Sequence, residues 1–142
     1  MTRIDFYTKV DDKLRFAGKL CAKALAQKLR VDVYAPDRAL AAQFDRLLWS
    51  DNSTGFIPHC PADDPLAAET PVLIHTSEGE ILHDTLLINL AAAWPPFFSR
   101  FQRVIEIVST DSDDATAARA RFRFYRDRGY ALQTHDMRAS HE

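Results

Sequence analysis

Glycine is scarce: the chain carries four, Gly18, Gly55, Gly79 and Gly129. Phosphate cradles rely on glycine to let backbone amides close on the anion, and neither a GxGxxG nor a GxxxxGKS/T run occurs. A dinucleotide or triphosphate cofactor is therefore not expected. Cysteine is scarcer still. Cys21 and Cys60 stand far apart with no further sulfur ligand beside them, which excludes a disulfide framework and a structural zinc site and leaves both as expected thiols, Cys21 buried. No apolar run approaches the ~20 residues a membrane-crossing helix needs. The opening Met1-Thr2-Arg3-Ile4-Asp5 has no hydrophobic signal region, so a cytoplasmic protein without a membrane partner is expected. Nor does one sign of charge dominate, since 18 basic residues face 20 acidic ones for a net charge of -2. That balance argues against a broad duplex-binding surface and makes any positive site local.

What is present is ordinary globular material: 142 residues, 46% hydrophobic and 27% charged, without repeats or a linker, read as one domain over 1–142. Strand and helix patterns alternate. Ile4 to Val10 reads as a strand, and the apolar spacing of Leu14, Ala17, Cys21, Ala24, Leu25 and Leu29 predicts a helix over Lys13 to Leu29. Val31, Val33 and Tyr34 make a second strand. Pro36-Asp37 opens a second helix with Leu40, Phe44, Leu47 and Leu48 on one stripe, ending at Trp49. Pro71 to His75 and Ile81 to Leu90 read as strands joined by a turn at Glu78-Gly79-Glu80, and Pro95-Pro96 starts a short helix through Phe97, Phe98 and Phe101. Val104 to Val108, apolar except for Glu106, has the composition of a strand covered on both faces. The sum is an α/β fold, a three-layer α/β/α domain with a mostly parallel sheet of about five strands.

Catalytic constellations are missing. His59 adjoins Cys60 in Phe56-Ile57-Pro58-His59-Cys60-Pro61, but neighbours in an extended segment point to opposite sides, so a loop histidine is the better reading. His75 and His83 would face each other across the expected hairpin, yet no carboxylate or thiol completes a metal set at recognisable spacing; no catalytic residue and no metal site is expected. Asp63-Asp64 and the acids from Asp111 to Asp114 suit turns and helix caps.

The helix expected over Ala115 to Tyr130 carries the one distinctive pattern. At about 100° per residue, Arg119, Phe122, Arg123 and Arg126 share a strip, positive with an aromatic inside it, which suits an acidic partner bearing an aromatic group. Charged strips are also ordinary solvated faces. Asp111 to Asp114 supply a cap and a negative first turn, and Gly129 the left-handed stop. Arg121 falls on the far side of the helix, and its partner is not legible from spacing.

The ordered set formed by Ile4-Asp5-Phe6-Tyr7, Leu47-Leu48-Trp49, Phe56-Ile57-Pro58-His59, Pro71-Val72 and Arg119-x-Arg121-Phe122-Arg123-x-Tyr125-Arg126-x-x-Gly129-Tyr130 resembles the chi subunit of bacterial DNA polymerase III over nearly the whole chain. The resemblance implies a non-catalytic accessory subunit of the clamp-loader assembly in DNA replication, without cofactor, touching DNA only indirectly. It implies two partners: the psi subunit, and the acidic C-terminal tail of single-stranded DNA-binding protein, which ends in an aromatic residue with a free carboxylate. Arg119, Phe122 and Arg123 match the family's tail-binding positions, with Val108 beside them; Phe122 stands where Tyr is common and Arg123 where Lys is common. Trp49, Phe56 and Pro58 match positions implied to dock psi or a related partner. The alternative from another class is a small α/β nucleotide-binding or hydrolytic protein, which the missing glycine loops disfavour.

Overall fold

The computed structural model describes residues 2–50, 55–79 and 81–138. Its elements run β1 (Arg3–Val10), α1 (Lys13–Ala26), β2 (Val31–Tyr34), α2 (Arg38–Ser50), β3 (His59–Pro61), β4 (Val72–His75), β5 (Leu86–Asn89), β6 (Arg103–Ser109), α3 (Ser112–Asp127) and β7 (Ala131–Asp136). All strands pair in parallel in one sheet of order β3-β4-β2-β5-β6-β1-β7. β1 lies between β6 and β7, with Ile4 opposite both Val104 and Leu132.

The period-2 alternation of β6 divides the core. Ile105 and Ile107 pack with Ala17, Cys21, Phe44 and Leu48 of α1 and α2, while Val104 and Val108 pack with Ile4, Phe6 and Tyr125 on the face that α3 covers. The sheet is thus covered on both sides, as the apolar composition of β6 requires. α1 and α2 approach closely at Gly18, where a Cβ would stand 3.0 Å from Leu47 Cδ2.

Three expectations need correction. Among the described residues seven strands replace about five: β3 is three residues long, and β7, with the mostly polar sequence ALQTHD, is an edge strand that needs no apolar run. The segments containing His75 and His83 do not form a hairpin. β4 and β5 flank β2 on opposite sides, and the second strand starts at Leu86, because its buried run Leu86–Asn89 needs cover on both edges and both faces; the expected turn includes Glu80, outside the described residues. The helix after Pro95-Pro96 is one 3-10 turn, Phe98–Arg100.

Candidate functional site

The β6–α3 connection is fixed locally. Asp111 caps α3 by accepting from the Asp114 backbone N–H at 3.1 Å, and the Asp114 carboxylate accepts from the Ser109 N–H at 2.8 Å and from Lys13 Nζ at 3.1 Å. Burial acts to raise the Asp114 carboxyl, but the Ser109 backbone bond and the Lys13 charge outweigh it and hold the group below the usual aspartate range. At the other end Gly129 takes φ 81, and the Tyr130 N–H closes on the Tyr125 carbonyl at 3.2 Å, which stops the helix.

Between α3 and the carboxyl ends of β1 and β6 lies a groove of about 400 Å³. The chain leaves β1 for one face of the sheet and β6 for the other, and such a divergence opens a crevice at the strand ends. Phe6, Val108 and Phe122 give the groove its apolar floor, with the Phe6 and Phe122 rings edge to face at 5.4 Å. Lys9, Arg119 and Arg138 supply cations along it. Arg119 is exposed, and its Nη2 donates to Thr116 Oγ1 at 3.1 Å, which steadies the guanidinium on the helix surface. Of the residues expected together, Arg119, Phe122 and Val108 line the groove. Arg123 is exposed on α3 and is not part of the lining, and Arg126 is engaged with Asp127 at 3.2 Å. An apolar floor beside a guanidinium suits a ligand that carries a ring and an anion close together, since a guanidinium–carboxylate pair is a short, charge-assisted contact.

A second feature sits where α2 ends. Trp49 is 61% exposed and Phe56 69% exposed, with their ring centroids 5.7 Å apart. Core placement is thereby excluded for both side chains. Ile57, buried, anchors the segment, and Pro58 is half-buried. His59 holds the arrangement from below: its Nδ1 bonds the Ile57 carbonyl at 2.7 Å, its Nε2 lies 3.0 Å from Asp45 Oδ1, and its ring lies 5.0 Å from Trp49. The pair thus presents exposed apolar surface on an ordered base.

Sequence reading missed two buried polar networks. Glu106 accepts from Arg121 Nε at 2.8 Å, Tyr125 Oη at 2.7 Å and Asn89 Nδ2 at 3.0 Å, and Arg121 Nη1 donates to the Ala92 carbonyl at 2.8 Å. Burial pushes the Glu106 carboxyl up, against the opposing charge of Arg121 and the bonds from Tyr125, Asn89 and Arg121. The signal that could have revealed this network was a lone Glu in an apolar strand. In the second network Asp32 on β2 accepts from His75 Nε2 at 2.5 Å and His83 Nδ1 at 2.9 Å, and His83 Nε2 accepts from Arg30 Nη1 at 2.9 Å. The described residues contain no group of three metal-ligating side chains suited to an ion, and no helix among them is long and apolar enough to cross a membrane.

Fold and groove define a class: a small α/β domain on one all-parallel sheet, with a cation-edged apolar groove at the carboxyl ends of its strands. Within that class the chain belongs to the DNA polymerase III chi subunit family. The family model described as DNA polymerase III chi subunit, HolC, matches residues 1–133. The DNA polymerase III subunit chi of Pseudomonas aeruginosa is 40% identical over 141 residues, covering 96% of this chain and 98% of that protein. Those of Haemophilus influenzae and Escherichia coli are 28% and 27% identical, covering 85% and 74% of this chain and 85% and 72% of the relatives. Membership makes the chain an accessory subunit of the replicative DNA polymerase III complex.

Proposed function

We propose that this chain is the non-catalytic adaptor of the clamp-loader assembly, joining psi through Trp49, Phe56 and Pro58 and the acidic tail of single-stranded DNA-binding protein through Arg119, Phe122, Arg123 and Val108. It acts in the cytoplasm and meets DNA only through these partners. The observation that carries the reading is the juxtaposition of Arg119 with the Phe6–Phe122–Val108 floor in one groove. A terminal aromatic ring enters the floor while its carboxylate meets the guanidinium. Arg123, on the same helix but outside the groove, serves the acidic residues that precede the terminus. The exposed Trp49–Phe56 pair supports a second, separate contact, as an adaptor requires.

The test is calorimetric titration of an acidic peptide ending in Pro-Phe-carboxylate. Arg119→Ala weakens binding about ten- to a hundred-fold, the loss of one charge-assisted contact of roughly 1.5 to 3 kcal/mol. Amidating the peptide terminus does comparable damage, and added salt weakens what remains. Unaltered affinity in Arg119→Ala would place the tail elsewhere.

A further inference from the structure

The groove that takes the carboxylate is not isolated. A second one, of about 470 Å³, adjoins it and shares Lys9 and Arg138 with it. Arg15 and Lys19, exposed one turn apart on α1, line the far part, and Phe16 and Met137 give it an apolar wall. Lys9 stands at the junction. β1 breaks register between Tyr7 and Val10, and Lys9 takes φ 58, a left-handed conformation that a non-glycine residue adopts at a steric cost. The irregularity sets the Lys9 side chain against both grooves, with its Nζ 3.2 Å from Asp136.

We propose that the second groove is a specificity subsite for the acidic stretch of the same peptide, N-terminal to the residue seated beside Arg119, with Arg15 and Lys19 reading its carboxylates. The inference rests on the first groove being the seat of the peptide's terminal carboxylate. Continuity comes from the two shared residues and complementarity from charge: Lys9, Arg15, Lys19 and Arg138 stand against Asp11 and Asp12 in the lining, and against Asp136, which pairs with Lys9. Asp12 already caps α1, its Oδ1 accepting from the Arg15 N–H at 3.1 Å. Two fixed carboxylates in the wall disfavour a phosphate at every step, whereas a peptide can set its acids opposite Arg15 and Lys19 and its apolar residues against Phe16 and Met137. An acidic peptide therefore fits better than a nucleic acid strand.

Two synthetic peptides separate this subsite from the first groove: acetyl-Asp-Asp-Asp-Gly-Pro-Phe-carboxylate and its counterpart with Asn in place of each Asp. At low salt the full chain binds the Asp peptide roughly three- to tenfold more tightly than the Asn peptide, the range two exposed ion pairs supply. The double variant Arg15→Gln/Lys19→Gln, altered only at exposed helix positions, melts as the parent does and removes most of that preference, Arg123 keeping the remainder, while binding the Asn peptide unchanged. Arg119→Ala weakens both peptides. A double variant that keeps the full preference overturns the subsite, as does a parent chain without preference; in both cases Arg119-dependent binding of the Asn peptide leaves the first groove standing. Failure of the parent to bind either peptide defeats both readings. Oligothymidylate that binds with the same Arg15 and Lys19 dependence and displaces the Asp peptide assigns the second groove to single-stranded nucleic acid and overturns the proposal.

Discussion

Arg121 on α3 and Glu106 on β6 form an ion pair in the core, Nε to Oε1 at 2.8 Å, with side-chain exposures of 1% and 0%. Desolvation makes such a pair a weak net stabiliser, yet removing one member leaves a buried charge without compensation. The pair therefore fixes where α3 sits on the sheet, and with it where Arg119, two residues earlier, meets the groove.

Arg121→Met should cost about 3 to 5 kcal/mol in urea unfolding at neutral pH. The double variant Arg121→Met/Glu106→Gln should recover much of that loss, because no carboxylate is then stranded. A single variant within 1 kcal/mol of the parent would show the pair to be dispensable.

Acid should loosen the fold through Asp5 and Asp114. Burial acts to raise Asp5, but the bonds from His135 and Arg103 and the charges of Arg103 and Arg3 hold it low; Asp114 is lowered likewise. A depressed folded-state value gives stability that is present above the unfolded value, about 3.9, and is lost as pH falls through the folded value. The melting temperature should fall steeply below about pH 4, and Asp5→Asn should melt lower at pH 7 with a shallower acid limb. An acid limb as steep as the parent's would remove Asp5 from the account.

Phe56→Ala should leave the isolated chain's melting nearly unchanged, whereas loss of a core Phe costs about 3 to 5 kcal/mol. Capture of psi should weaken by about 2 kcal/mol or more, as for an interface anchor, while the tail peptide still binds. A folded variant that loses the peptide and keeps psi would show the two surfaces exchanged.

Thiol labelling should count one fast cysteine in the native protein and two in denaturant. Cys21 is fully enclosed and burial pushes its thiol up to about 12, whereas Cys60 is partly exposed. Two equally fast thiols under native conditions would mean that α1 opens readily.

Local chemistry was legible in the sequence where it decides the outcome locally. Asp111 and Gly129 bound α3 as a cap and a left-handed stop do, and the apolar run of β6 foretold cover on both faces. β7 was missed because an edge strand needs little apolar sequence, here Leu132 against the core. The hairpin reading failed because adjacency in sequence suggested pairing, while β2 took both neighbours, and with them His75 and His83 came to share Asp32. At the groove, helical periodicity brought Arg119 and Phe122 together but could not tell that Arg123 falls outside, since Phe6, Lys9 and Thr134 come from strands remote in sequence. The exposure of Trp49 and Phe56 is not legible in composition, because an aromatic's burial depends on what packs over it.

The place of β1 between β6 and β7 has a consequence for biosynthesis. Its partners are made about a hundred residues later, Arg3 pairing with Arg103 and Ala131. A nascent chain emerging from the ribosome therefore holds Ile4 and Phe6 with neither hydrogen-bonding neighbour nor helical cover until translation reaches β6 and α3. Folding of this half of the sheet waits for the synthesis of β6, α3 and β7, and the interval before it is when a chaperone has most to bind.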